Sequence, residues 1–446
     1  MKKSVIFVII IAIVVVVFGF FLVKNLRYEK IDQKSSEKLN FIKQGLRNLC
    51  SNEEDCISFC QNNRGICEEY CKENENELCK IIFSGDTETN SERSQQENEE
   101  EENQNEEQCQ GTRTKFDYAP TNLDKTKLML PIGLMVDTHV TPVDHHYFQN
   151  FDNQEYDIEI YSPGDGYIIE IGGGHGENGN EYRMIIEHTC TISSIYIYIS
   201  DLPDKIKSFA PVGQGHVNVR IPVAAGEFLG FYKTNLDYNL VDEEVTLNFI
   251  VPEHYVRESW KINVPDTYDY FNEPVRSKLI EKSVRTAEPI SGKIDYDIDG
   301  KLVGNWFVEG TNGYAGSGQG GYWLGHLTLA YDYIDPGRIA ISIGGYNGQN
   351  SGQFGVAGNA PNPKEIGLKN GLVKYELVQY DYITLSGTSW DRRSLVKDLT
   401  TKINSDVQGT VLVQMIEDRK IKFEAFPGKT ASQVSGFTNN AKIYER

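Results

Sequence analysis

Three hydrophobic patterns follow one another along the chain. The first is an unbroken apolar run from Ser4 to Val23, twenty residues with no charge and one glycine, long enough to cross the hydrocarbon of a bilayer as a helix. No small-x-small cleavage pattern follows it and no cysteine lies close behind, so residues 1–25 read as an uncleaved transmembrane signal anchor. The second pattern, over 26–83, is helical: Cys56 with Cys60 and Cys67 with Cys71 are spaced i to i+4, which puts each pair of thiols on one helix face. The third begins after Gly111 and is β. Tyr156 to Tyr161, Gly166 to Ile171, Arg183 to His188, Ser194 to Ile199 and Val217 to Ile221 alternate or run apolar between turn signals. Further strands are expected at Trp323 to Tyr333, Arg338 to Ile343, Leu372 to Leu385, Thr410 to Met415 and Lys420 to Ala425, with a helix after Pro274 and another near Arg393 to Ile403.

These patterns divide the chain into an anchor (1–25), a stalk and Cys-rich helical hairpin (26–83), a linker (84–110), a β domain (111–255), a helical connector (256–287) and a β-rich C-terminal domain (288–446). In the hairpin, Ser51 and Glu54 match a capping box and Asn62-Asn63-Arg64-Gly65 supplies the turn. Antiparallel packing would pair Cys56 with Cys71, Cys60 with Cys67 and Cys50 with Cys79 as disulfides, staples that so small a unit needs. The spacing resembles the twin Cys-x-x-x-Cys hairpins of several exported and intermembrane proteins. The linker carries ten acids against Arg93 alone, nine of the chain's net twenty negative charges, and reads as a solvated tether. Acidity excludes nucleic acid as the expected partner. Orientation rests on two opposed signals. Lys24, Arg27, Lys30 and Lys34 after the run do not favour export, whereas the even, dense cysteine cluster belongs to an oxidising compartment. The bulk is therefore expected on the extracytoplasmic side of a cell membrane.

Within residues 128–254, four ordered pieces carry a family likeness: HVTPVDHH with His139 and Asp144, YSPGDGYIIEI from Tyr161, the strands RMIIEHTC and IYIYISDL, and VAAGEFLG from Val223. In this order they resemble the lysostaphin-type (LytM-like) zinc metallopeptidases, which cut cell-wall peptide bridges. The resemblance implies a barrel-sandwich-like β domain and a zinc site, with His139 and Asp144 as its first two ligands. Zinc hydrolysis needs three protein ligands and an open fourth position. The family's third ligand comes from a His-x-His pair that this chain lacks; the corresponding stretch, LDYNLVD, offers Asp237. Tyr198 stands where the family has a second catalytic histidine, and a phenol is a poor general base at neutral pH. His139 to Asp144 is one residue longer than the family's spacing. The resemblance therefore implies a catalytically degenerate domain, with His139, Asp144, His145 and His146 as a residual metal or ligand site or a hydrogen-bonded polar loop. SPGDGY and VAAGEFLG also occur in biotinyl and lipoyl carrier folds, but no modifiable lysine sits at a hairpin tip between them. His188 reads as a structural histidine, and the glycine-rich stretch around His175 as a hairpin tip.

In the C-terminal domain, Asp295, Asp297, Asp299 and Gly300 match the start of a calcium loop, although position twelve is Trp306. A β-hairpin turning at Asp299-Gly300 explains the same letters and is preferred. Around eight antiparallel strands imply a sandwich or barrel, with Tyr314, Tyr322 and Trp323 as candidate groove residues for a carbohydrate or peptide. The whole chain reads as mainly β: a single-pass, membrane-anchored binding or scaffolding protein. Zinc or calcium is considered as cofactor, and surface protein, peptide or carbohydrate as ligand. The alternatives are an active zinc endopeptidase using Asp237 and a calcium-stabilised adhesin.

Overall fold

The computed structural model describes residues 114–151, 157–176, 178–311, 313–316 and 321–446. The expected anchor, cysteine hairpin and acidic linker lie outside them, as does every cysteine except Cys190. Among the described residues no helix is long and apolar enough to cross a membrane.

The first body is built from nine strands: β1 (Leu128–Leu130), β2 (His146–Gln149), β3 (Ile158–Tyr161), β4 (Gly166–His175), β5 (Glu181–Glu187), β6 (Ile192–Ile199), β7 (Gly215–Val223), β8 (Phe228–Tyr232) and β9 (Asn235–Asp242). Seven form one antiparallel sheet in the order β1-β2-β9-β6-β5-β4-β7, while β3 pairs with β8 in a second. The period-two rule fixes which side of the central strand β9 meets the core. Leu236, Tyr238 and Leu240 point into an apolar cluster with Phe148, Ile168, Met184, Ile186 and Tyr196. That leaves Asp237 and Asn239 on the opposite face, yet both are buried as well. Something must therefore cover a second, polar face of this sheet. The cover is a kinked 3-10 segment, Pro252–Asn263, whose Trp260 and Lys261 contact Asp144. A short helix α1 (Asp204–Lys207) follows β6, and α2 (Val275–Lys282) starts directly after Pro274, as its sequence predicts.

The second body is an eight-stranded closed antiparallel barrel, which resolves the expected choice between sandwich and barrel. Its strands are β10 (Gly304–Val308), β11 (His326–Tyr331), β12 (Ile339–Asn347), β13 (Asn350–Val356), β14 (Leu372–Ile383), β15 (Thr400–Glu417), β16 (Lys420–Pro427) and β17 (Lys442–Glu445), each beside its successor, with β17 closing on β10. Eight strands enclose a space that side chains can fill, and Trp306, Leu329, Ile341, Val411, Val413 and Phe423 pack there. The long β14 and β15 run past the barrel, where Tyr382 joins Tyr333, Trp390 and Leu399 in one apolar cluster with Leu128, Leu130 and Val143 of the first body. This shared core holds the two bodies together.

Two sequence expectations are corrected. No helix forms over Arg393 to Ile403: Arg392 and Asp398 both take left-handed backbone, and Thr400 to Ile403 pair with Ile383 to Tyr380 as strand. Nor is Asp299-Gly300 the tip of a β-hairpin. The turn itself is present, with Lys301 N–H donating to Ile298 O at 3.0 Å and Gly300 at φ +69. Residues 294–298, however, form no strand, because the return strand β10 is already paired with β11 on one edge and β17 on the other; Asp295 and Asp297 accept through their side chains from the backbone N–H groups of Asn248 and Ile250. The three carboxylates of the expected calcium loop do not act together. Asp295 also accepts from Lys293, Asp297 lies 3.4 Å from Arg446, and Asp299 takes both oxygens to Arg419 at 3.0 Å.

Two histidines serve as core residues. His146 is on the apolar side of β2 and His326 at the start of β11; their Nδ1 and Nε2 atoms lie 3.2 and 3.0 Å from the carbonyls of Leu130 and Tyr314. Burial, the largest cause in each, lowers the imidazole pKa of His146 to about 3 and of His326 to about 4. A histidine depressed in the folded state stabilises fully above its unfolded value and loses that contribution as pH falls toward the folded one. For His326 the window runs from 6.5 down to about 4, and about 3 kcal/mol is at stake across it. Urea titrations between pH 7 and 4.5 are expected to show His326→Asn losing stability less steeply than wild type. Parallel curves would remove His326 from this role.

Candidate functional site

The polar face of the first sheet forms the floor of a pocket of about 220 Å³. Across β6 and β9 the pairs Ile195–Asn239 and Ile197–Asp237 lie side by side and line it. The chain enters from the stretch before β2, where alternation separates adjacent residues: His145 faces the pocket, while His146 turns into the core. His139 closes a tight turn with Val136, made possible by Asp137 in left-handed backbone, and reaches the same pocket. Tyr198 is there because of a bulge. Tyr182 pairs with Ile199 and Arg183 with Ile197, so Tyr198 is the extra residue, at φ +72. Such bulges re-aim side chains, and left-handed backbone at a bulky residue is a local strain that the surrounding ladder must hold.

Two further segments complete the walls. The 3-10 cover contributes Glu258, Trp260 and Lys261, and the loop between β10 and β11 contributes Tyr314 and Tyr322. Of Tyr314, Tyr322 and Trp323, expected as a groove of the C-terminal domain, the two tyrosines line this shared pocket with ring centres 5.5 Å apart, and Trp323 packs edge-on against Tyr322 at 5.4 Å.

Asp144 is the hub. Its Oδ2 accepts from Asn239 Nδ2 at 2.8 Å and Trp260 Nε1 at 3.0 Å, and its Oδ1 from Lys261 Nζ at 3.2 Å. Lys261, 3% exposed, also lies 3.8 Å from Glu258, and its ammonium sits 4.9 Å from the Tyr314 ring centre. His145 bridges the carboxylates: Nδ1 is 3.4 Å from Asp144 and Nε2 3.3 Å from Asp237. Burial pushes the Asp144 pKa up, but the Lys261 ammonium and the His145 contact outweigh it and hold the carboxyl well below the usual range. His145 is likewise opposed by burial, yet Asp237 and Asp144 raise it. Asp237 is pushed up to about 6, chiefly by burial. His139 is lowered to about 4 by burial and by the neighbouring His145 and Lys261 cations, which leaves it a neutral imidazole at pH 7. Burial and Asp237 raise the Tyr198 phenol, so it is a hydroxyl and not a base.

This donor set does not fit a catalytic zinc ion. Among the described residues no three His, Cys, Asp or Glu side chains converge as a metal site. Both Asp144 oxygens are already engaged by N–H donors, one of them a buried ammonium beside which a dication would be repelled. The candidates His139, Asp144 and Asp237 do share one pocket, but His145 lies between the two carboxylates. Sequence reading missed Arg183, Asn239, Glu258, Trp260 and Lys261. The one available signal was Asn239, a polar residue two positions from Asp237 and so on the same face of β9.

The chain matches no known protein-family model and no curated protein. Among solved structures it is similar to a zinc-containing peptidase from Vibrio cholerae, at 17% identity and a TM-score of 0.21 over 29% of this chain. The similarity spans 38% of that peptidase, too little and too distant to carry an argument about activity.

Proposed function

We propose that this protein is a single-pass, membrane-anchored extracytoplasmic binding protein whose peptidase-like domain holds ligands without hydrolysing them. The anchor and orientation rest on the Ser4 to Val23 run and the cysteine cluster. The observation that carries the functional reading is the Lys261 ammonium on Asp144. A hydrolytic zinc site gathers neutral imidazoles and a carboxylate around a dication that activates water. Here Lys261 and His145 supply the positive charge from within the chain, and the residue at the second catalytic histidine position is a protonated phenol. Such a pocket retains walls, charges and hydrogen-bonding groups, which suffices for recognition, and lacks the open metal position by which a zinc hydrolase activates water.

Metal analysis of the full-length protein in detergent tests the reading. After dialysis against micromolar zinc the protein is expected to hold far less than one equivalent, with a melting temperature indifferent to chelator. One equivalent of zinc, lost in both His139→Ala and Asp144→Ala and accompanied by chelator-sensitive cleavage of wall-type peptides, overturns it in favour of the active endopeptidase.

A further inference from the structure

The pocket's charges do not balance. Among the groups that line it or pair with its lining, Asp144, Asp237, Glu258 and Glu170 are four carboxylates, while Lys261, His145 and Arg183 are three cations. Arg183 is committed to Glu170, Lys261 to Asp144 and Glu258, and His145 is shared between Asp144 and Asp237. Negative charge is thus left over on the Asp237 side, where Oδ1 accepts from the neutral Asn235 amide at 2.6 Å and Oδ2 has only a share of His145. A second, independent feature points the same way: Asn239 Oδ1 is buried without a hydrogen-bond partner, in a residue that is 4% exposed and lines the pocket. Its amide nitrogen is spent on Asp144, so the oxygen needs a donor from elsewhere, and leaving it unpaired costs about 1–3 kcal/mol. The chain itself shows how this pocket holds a cation. Lys261 presents its ammonium to a carboxylate at 3.2 Å, a second at 3.8 Å and a tyrosine face at 4.9 Å. Tyr198, Tyr322 and Trp260 line the remaining volume with aromatic surface, the environment in which a cation gains most from ring quadrupoles.

We propose that the pocket recognises a primary ammonium group, presented by a lysine-type side chain or a peptide N-terminus, with Asp237 as its counter-charge and Asn239 Oδ1 as its neutral acceptor. A primary ammonium has three N–H donors, enough for both oxygens and one more contact. A volume of about 220 Å³ admits a single amino-acid-sized group and not a folded chain. This deepens the binding reading and rests on it, since a zinc ion held by these carboxylates would take the counter-charge that the ammonium needs.

The probe is n-butylammonium, compared with n-butanol, which has the same chain and no charge. Saturation-transfer NMR on the full-length protein in detergent is expected to show saturable binding of the amine, little of the alcohol, and displacement by lysine amide. Asp237→Asn is expected to weaken the amine at least ten-fold, about 1.4 kcal/mol, and Asn239→Leu to weaken it measurably, in variants whose melting shows them folded. Equal binding of amine and alcohol, or no saturable amine binding to wild type, overturns the proposal without needing any variant. Zinc measured on the same sample separates the two failures: a zinc-free protein that ignores the amine sinks this inference alone, whereas a zinc-loaded one sinks the binding reading beneath it. Displacement by Nα-acetyl-lysine amide, whose one ammonium is on the side chain, but not by glycine amide assigns the side chain as source, and the reverse assigns the N-terminus.

Discussion

Lys261→Met is expected to destabilise the protein by about 3–5 kcal/mol, because it strands a buried carboxylate without its cation. Methionine keeps most of the lysine stem's volume, so the loss measures charge and not a cavity. Asp144 would retain Asn239 and Trp260 as donors and His145 as a neighbour, but His145 is already shared with Asp237. The double variant Lys261→Met/Asp144→Asn removes both charges and is expected to recover part of the loss, since an amide is far less costly to bury than a lone carboxylate. Urea denaturation of the four proteins in a double-mutant cycle isolates the pair. A cost below about 1 kcal/mol for Lys261→Met, the range of exposed pairs, would show that the ammonium does not compensate Asp144. The charge basis of the proposed binding site would fall with it.

How far the sequence discloses this site depends on distance along the chain. His139, Asp144 and His145 lie within one short motif, and local spacing suffices to bring them to notice. Lys261 is 117 residues from Asp144, in a stretch, RESWKIN, with neither period two nor a regular helical pattern. No local rule marks it. The strands behave the same way. β6 and the apolar centre of β15 are legible because alternation or an apolar run declares them. The first half of β15, TTKINSDVQG, is largely exposed and is held as strand by its ladder to β14. β13, with two glycines and polar neighbours, exists because β12 and β14 flank it. The expected helix over Arg393 to Ile403 failed for the converse reason. Its Leu395, Val396 and Leu399 are spaced for a helix face, yet they pack into the shared core from irregular backbone that leads into a β ladder. Tertiary pairing overrode a local preference.

The acidic stretch before the barrel gives the second large effect. Arg446→Ala is expected to cost about 3–5 kcal/mol, because it removes the cation facing the buried Asp297. The guanidinium also donates to the carbonyls of Val303 at 2.6 Å, Ile298 at 2.8 Å and Lys301, and stacks 4.0 Å from the Trp306 ring centre. No water replaces these contacts without opening the barrel wall, as Arg446 is 4% exposed. Arg446→Lys is expected to restore only part of the loss: one ammonium can face Asp297 but lacks the planar fork that reaches three carbonyls and stacks on indole. The same experiment decides the calcium reading. Were Asp295, Asp297 and Asp299 a cation loop, calcium would take over the role of the missing guanidinium and rescue Arg446→Ala. With each carboxylate bound to a different partner, the urea curve of wild type is expected to be the same with and without calcium, and so is that of the variant. A calcium-dependent gain in either, abolished by Asp297→Ala, would establish the adhesin-like loop in place of the arginine clamp.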